Sequence, residues 1–192
     1  MAKKVKKTEK KNAKTVLIVI SAVLVVAIMA GAGYLIYNSN GVQYGKAVDM
    51  IEEGDFKGGY DRLIEIAEKN EDYKDTNELL YTRAIELIET GELKNKQAAY
   101  KMLDPISGYK NADEIMYFLW VEDVYDPKDD NSFEQADQFM AMIPEGYDGP
   151  FANEVERFRS DIKKSLEELN RKKYEAAMEA EAEMSEGENM FY

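Results

Sequence analysis

The sequence predicts an all-α protein in which an N-terminal single transmembrane helix is followed by a short stack of helical hairpins and a long C-terminal capping helix. Three observations predict this class. An apolar run near the N-terminus has the length of a membrane span, and a set of apolar positions recurs at helical spacing in three copies. The C-terminal part then keeps an apolar helical stripe, without the alternation of a strand.

The predicted transmembrane helix covers residues 16–37, an uncharged run of 22 residues. As a helix it would extend about 33 Å, which matches a hydrocarbon core of about 30 Å. Tyr34 and Tyr37 stand near one end, where amphipathic rings prefer the headgroup layer. Ala27 and Gly31 would let two such helices pack closely and oligomerise, although plain contact with lipid explains these small residues more simply.

Lysines flank one end of this run and predict its orientation. Residues 1–15 form a lysine-rich arm with seven lysines and one acid, Glu9, whereas the first bases after the run are Lys46 and Lys57. Because basic residues favour the cytoplasmic side, we expect a cytoplasmic arm and an extracytoplasmic region over 38–192. The expected location is the cell membrane, crossed once.

A cleaved signal peptide is the alternative to a retained anchor. Ala30, Gly31 and Ala32 have the small-x-small form that signal peptidase recognises. Cleavage after Ala32 would release a secreted repeat protein that begins with the apolar segment 33–37. Since that start is unusually apolar and the uncharged run is longer than a typical signal core, a retained anchor is favoured.

The region beyond the span is strongly acidic. The chain has 25 bases and 38 acids, and without the seven lysines and one acid of the arm there remain 18 bases and 37 acids, a net charge of −19. Such a region repels phosphate backbones, so we expect no nucleic-acid partner for it. The chain has no cysteine and no histidine, which removes thiolate nucleophiles, the usual zinc ligands and histidine-based triads. The acidic segment 123–134 lacks the ligand spacing of a calcium loop. We predict no enzymatic activity, metal or cofactor.

Beyond a polar break at 38–41, five positions recur in three copies. Counted from a tyrosine, they have offsets of 0, 3, 4, 7 and 10: Tyr44, Ala47, Val48, Ile51 and Gly54; Tyr81, Ala84, Ile85, Ile88 and Gly91; Tyr117, Trp120, Val121, Val124 and Pro127. The first four offsets mark one face of a helix, and glycine or proline at the last ends it. The copies begin 37 and then 36 residues apart, so each unit holds two helices that must stack on neighbours to bury an apolar face.

Residues 38–149 are therefore predicted to form three helix pairs. The pairs are 42–53 with 57–69, 77–90 with 95–103, and 112–125 with 132–143. Capping boxes are expected at three helix starts, where a side chain accepts a hydrogen bond from an orphan amide. These boxes pair Asp75 with Glu78, Asn111 with Glu114, and Ser132 with Gln135.

A last helix is predicted over 150–185, followed by a tail at 186–192. One face carries Phe151, Val155, Phe158, Ile162, Leu166 and Leu169. We expect this face to cap the open end of the stack. Beyond Leu169 the stripe thins into an acidic, alanine-rich segment, which predicts a projecting end.

The helix pairs resemble degenerate tetratricopeptide repeats over roughly residues 42–155, with Gly54, Asp55 and Phe56 between the helices of the first pair. The Tyr-Lys-Asp-Thr and Tyr-Lys-Asn-Ala junctions at 73–76 and 109–112 resemble those of many membrane-bound or surface repeat proteins of Gram-positive bacteria. The units are longer than the usual 34 residues. The resemblance implies a curved stack that serves as a binding platform.

The resemblance also implies that the first helix of each pair lines the inner curve. Candidate contact residues on these helices are Tyr44, Tyr81, Tyr117, Trp120, Glu78 and Glu86. Rigid aromatic rings are good contact anchors, but tyrosines in one helical phase equally suit packing between helices. Likewise, the apolar run 115–121 suits a buried central helix better than an exposed patch.

The sequence thus predicts a membrane-tethered extracytoplasmic protein–protein interaction module, a scaffold or accessory subunit of an envelope or surface assembly with unidentified protein partners. The alternative is an extracytoplasmic sensor or ligand receptor that signals through the single span. The absence of a recognisable output domain in the short arm argues against that alternative.

Overall fold

The computed structural model describes residues 37, 39–70 and 72–189, with the backbone alone over 182–189. Within these residues it has seven α-helices and no strand, which confirms the all-α class and a helical repeat-like organisation. The helices are α1 (Asn40–Glu52), α2 (Phe56–Lys69), α3 (Thr76–Glu89), α4 (Leu93–Leu103), α5 (Ala112–Val124), α6 (Ser132–Met140) and α7 (Ala152–Asn189).

The predicted transmembrane helix lies outside the described residues except for Tyr37, and so does the lysine-rich arm. Among the helices that the structure describes, none combines the length and the apolar character that crossing a bilayer requires. The six paired helices begin and end within three residues of their predicted bounds. The chain divides into two compact units that meet in sequence at Lys69 and Asn70.

The first unit contains a helical hairpin formed by α1 and α2. Gly54 ends α1 with a φ of +91°, a conformation that glycine adopts without strain. The Asp55 carboxylate then accepts a hydrogen bond of 3.0 Å from the Gly58 N–H at the start of α2. At Gly59 a Cβ would lie 2.5 Å from Ile51 Cγ1 and 2.8 Å from the Ala47 carbonyl oxygen, so this glycine lets the two backbones approach closely.

The second unit is a chain of helices in which α3, α4, α5, α6 and α7 each pack on the next. A 3₁₀ turn, Asp104–Ile106, follows α4. The core of the unit joins α5, α6, the segment after α6, and α7, through Phe118, Val121, Ala136, Met140, Ile143, Tyr147, Val155 and Ile162. The apolar stripe predicted for the C-terminal helix therefore faces the core.

Helix α7 changes character along its 38 residues. Its first half supplies Val155, Ile162 and Leu169 to the interior, and Arg159 Nη2 donates a hydrogen bond of 3.1 Å to the Ile143 carbonyl oxygen. From residue 170 to 181 every residue is exposed, including Tyr174 and Met178. The helix also continues to Asn189, past the predicted end at 185.

The predicted capping boxes are wrong. Asp75 and Asn111 stand at the N-caps of α3 and α5, but neither makes a side-chain capping hydrogen bond. Their ψ angles of 19° and 27° depart from the extended conformation that aims a capping side chain at the amides of the first turn. Ser132 lies inside α6, and its hydroxyl instead donates to the Asp126 carbonyl oxygen at 3.0 Å.

Candidate functional site

Four aromatic rings from three consecutive helices meet around Trp120 in the second unit. The rings of Tyr117, Phe139 and Tyr100 lie 5.5, 5.3 and 6.0 Å from that of Trp120, measured between ring centroids. We call these four residues the aromatic cluster. All four are half-buried, so each ring packs on its neighbours while part of its surface stays open.

The position of Trp120 in the repeat explains why this cluster reaches the surface. The equivalent positions in the two earlier copies are Ala47 and Ala84, and both are fully buried. An indole is far larger than a methyl group and needs more room than a closely packed helix pair offers. Trp120 is only half-buried, and its ring spreads over Tyr100 of α4 and Phe139 of α6.

A cavity of about 250 Å³ opens beside Trp120, between α4 and α5. We call it the α4–α5 cleft. Its apolar lining includes Leu93, Tyr100, Leu119 and Trp120. Leu93, at the first position of α4, is 65% exposed. The cleft therefore adds open apolar surface to that of the aromatic cluster.

Charged side chains line the same cleft. Lys96 Nζ lies 2.8 Å from Glu122 Oε2, and the two side chains are only 25% and 21% exposed. Asp123 lies next to Glu122 and is exposed. Lys96 and Glu122 also line a second cavity of about 410 Å³, together with Phe118, Phe151, Glu89 and Glu154. The Lys96–Glu122 ion pair therefore lines both cavities.

A separate polar cluster surrounds Glu78 on α3. Its Oε2 atom accepts hydrogen bonds from Lys110 Nζ at 2.5 Å and from Tyr109 Oη at 2.6 Å, and these bonds lower the pKa of Glu78 below its ordinary value. Tyr81 lies beside them, with its ring edge-on to Tyr109 at 6.0 Å. The cluster links α3 to the Tyr-Lys-Asn-Ala junction before α5.

The predicted contact residues occupy different environments. Tyr117 and Trp120 lie in the aromatic cluster, and Glu86 pairs with Arg83 at 2.7 Å on the exposed side of α3. Tyr44 belongs to the first unit, where it is half-buried. Tyr81 is only 8% exposed, and Lys110 Nζ lies 5.1 Å from its ring centre. For Tyr81 the structure favours packing between helices over contact with a partner.

The sequence did not predict that α4 and α6, the second helices of their pairs, contribute residues to the candidate site. Tyr100 and Phe139 complete the aromatic cluster, and Leu93 and Lys96 line the α4–α5 cleft. A signal for α4 was present, since Leu93, Lys96 and Tyr100 have offsets of 0, 3 and 7 and so share a helix face. The family resemblance directed attention to the first helix of each pair instead.

In the acidic segment 123–134, carboxylates accept hydrogen bonds from backbone N–H groups within turns. Asp126 accepts a hydrogen bond from the Lys128 N–H at 2.9 Å, and Asp129 accepts one from the Asn131 N–H at 3.0 Å. In the part of the chain that the structure describes, no group of three or more acidic, histidine or cysteine side chains is placed to hold a metal ion.

The aromatic cluster and the α4–α5 cleft together offer a surface for binding. Its aromatic faces can contact apolar or cationic groups, and carboxylates of the protein lie beside them. No family model, no curated protein and no solved structure matches this chain.

Proposed function

We propose that this protein is a membrane-tethered interaction module of the tetratricopeptide-repeat type, whose acidic extracytoplasmic region acts as a scaffold or accessory subunit of an envelope or surface assembly. The observation that carries the proposal is the aromatic cluster, because half-buried tyrosine, tryptophan and phenylalanine rings on one surface are typical of protein contact sites.

The sequence supports a membrane anchor and its orientation. The uncharged run over 16–37 has the length of a membrane span, and the lysines of residues 1–15 favour a cytoplasmic N-terminus. The repeat type is supported by the pairing of α1 with α2, α3 with α4, and α5 with α6, and by the glycines at +91° and +72° that end the first helices of two pairs.

A photocrosslinking experiment in native membranes tests the contact site. A photoreactive phenylalanine analogue replaces Tyr117 in the full chain, and the matched control carries the analogue at Met142, an exposed apolar residue outside the aromatic cluster. We expect a discrete protein adduct from position 117 and none from position 142. Equal adduct patterns at the two positions, or no adduct at 117, would contradict the proposal.

A further inference from the structure

We propose that the α4–α5 cleft receives one apolar side chain of a partner protein segment whose flanking residues are lysine or arginine. This inference rests on the proposed interaction function and adds the place and the chemistry of the contact. It locates part of the contact on the second helix of a pair, through Leu93 and Tyr100 of α4.

The size and lining of the cleft favour a single side chain over a small molecule. Its volume of about 250 Å³ lies below the range of about 300–1,000 Å³ that is usual for small-molecule sites. Leu93 of α4 and Trp120 of α5 both line the cleft, and each keeps exposed apolar surface. A leucine-sized group placed between them would remove apolar surface from water on both sides, which stabilises the complex.

The charges around the cleft select basic flanking residues. The Lys96 ammonium is already engaged by Glu122 at 2.8 Å, so the positive charge at the cleft is largely compensated. Asp123 is exposed beside it, and the adjoining cavity adds the exposed carboxylates of Glu89 and Glu154. A segment with acidic flanks would be repelled, whereas lysine or arginine flanks gain attraction and faster encounter.

The same charges argue against an anionic membrane surface as the occupant. Phosphate headgroups would be repelled by the carboxylates of Asp123, Glu89 and Glu154, and Lys96 is already paired with Glu122. A protein segment can present one apolar group between two positive charges, which matches an apolar cleft with acidic edges.

Trp120 provides a direct readout, because it is the only tryptophan of the chain. The full-length protein in uncharged maltoside micelles is titrated with the tryptophan-free peptide Lys-Arg-Gly-Leu-Gly-Lys-Arg. Two matched peptides replace the central leucine with serine or all four bases with glutamate. We expect a saturable blue shift of the Trp120 emission with the first peptide alone, since burial in an apolar site moves indole emission to shorter wavelengths.

Two pairs of variants localise the binding. Leu93→Ser removes the exposed apolar wall, and Met142→Ser is its control elsewhere on the surface. Asp123→Lys inverts a charge at the cleft, and Asp137→Lys, at an exposed position of α6, makes the same change in net charge away from it. Each cleft variant should weaken binding about fivefold or more, the effect of about 1 kcal/mol, while each control stays within about twofold of wild type. Circular dichroism melting confirms that the variants are folded.

The inference is overturned if the serine peptide shifts the emission as the leucine peptide does, if the leucine peptide gives no shift, or if the cleft variants and their controls behave alike. Crosslinking from position 117 distinguishes this failure from failure of the proposed function. An adduct from position 117 that persists in Leu93→Ser would leave the interaction function standing without the cleft. No adduct from position 117 in the otherwise wild-type chain would remove the function itself.

Discussion

At the scale of single residues, Glu78 shows how an exposed carboxylate can organise a junction between helix pairs. It accepts hydrogen bonds from Lys110 and Tyr109, and its pKa is lowered as a result. A carboxyl with a lowered pKa in the folded state contributes stability above its unfolded pKa and loses it as the pH falls through the folded pKa. Because Glu78 is exposed, solvent screening keeps this contribution small.

The cause of the shift can be tested by removing its main donor. Lys110→Met should raise the pKa of Glu78 towards its ordinary value of 4.5, because the hydrogen bond from Lys110 is the largest cause of the shift. A carbon-detected NMR titration of the side-chain carboxyls measures this pKa. Lys172→Met, at an exposed position of α7, is the control and should leave the titration of Glu78 unchanged. If both variants titrate like wild type, Lys110 is not the cause.

Tyr81 gives a second residue-scale prediction. Its ring is buried against Tyr109, so Tyr81→Ala should lower the free energy of unfolding by about 3 kcal/mol, the usual size for losing a buried aromatic ring. Tyr174→Ala removes an exposed ring from α7 and should change stability by less than about 0.5 kcal/mol. Chemical denaturation measures both. Normal stability of Tyr81→Ala together with lost partner capture would restore Tyr81 as a contact residue.

At the scale of elements, the helix pairs follow from local patterns, whereas the contacts between them do not. Offsets from Tyr81 and Tyr117 place α3 and α5 correctly because helical period is a property of a short segment. The meeting of Tyr100 with Trp120 depends on how α4 stacks on α5, which the period of either helix leaves open. The predicted caps at Asp75 and Asn111 are absent because the backbone there has ψ angles of 19° and 27°, and the residue pattern does not determine these angles.

The hairpin of the first unit can be tested at Gly59. Gly59→Ala should destabilise the hairpin by about 1–3 kcal/mol, because the added methyl group meets the Ala47 carbonyl oxygen at 2.8 Å and the backbones must separate. Gly45 lies in α1, and a methyl group added there would have no neighbouring atom within 4 Å, so Gly45→Ala should be neutral or stabilise by up to about 1 kcal/mol. Thermal unfolding compares the two variants, and similar shifts in both would exclude the close approach.

The two halves of α7 should respond differently when an apolar side chain is replaced by aspartate. Ile162 is fully buried in the core, so Ile162→Asp should cost several kcal/mol and unfold the second unit. Met178→Asp also replaces an apolar side chain with aspartate, but at a position that is 51% exposed, and should leave the melting temperature unchanged. Circular dichroism melting separates the outcomes. A normal melting temperature for Ile162→Asp would show that α7 does not close the core.

At the scale of the whole molecule, charge and hydropathy divide the chain more sharply than any helix boundary does. Seven lysines precede the apolar run over 16–37, and a net charge of −19 follows it. This division predicts topology directly, because the rule for basic residues acts on short segments beside a span. A partner is not predictable in the same way, since Trp120 and Leu93 become one surface only after α4 and α5 have packed.

The predicted topology has a direct test. Protease added to cells whose outer face is accessible should remove residues 38–192 and spare a tag at the N-terminus, because the membrane shields the cytoplasmic arm. Cells opened before protease treatment are the control and should lose both. Protection of 38–192 with loss of the tag would contradict the orientation, and a mature chain that begins at Gly33 would contradict the anchor.

The exposed half of α7 also has a consequence for the electrostatics of the helix itself. The backbone dipoles of a helix sum to a partial negative charge at its C-terminus, which basic side chains stabilise. Here the order is reversed, since Arg171, Lys172 and Lys173 come first, Glu175, Glu179 and Glu181 follow, and the last turn has no base. Glu175 and Glu179 are four residues apart and repel each other. Arg171 forms ion pairs with Glu168 at 2.6 Å and with Glu175 at 3.9 Å, and dissolved ions weaken both pairs. Residues 176–189 contain no base, so beyond Glu175 the same ions screen only the unfavourable interactions. Rising ionic strength should therefore stabilise the helix after Glu175 and weaken the ion-paired turn before it.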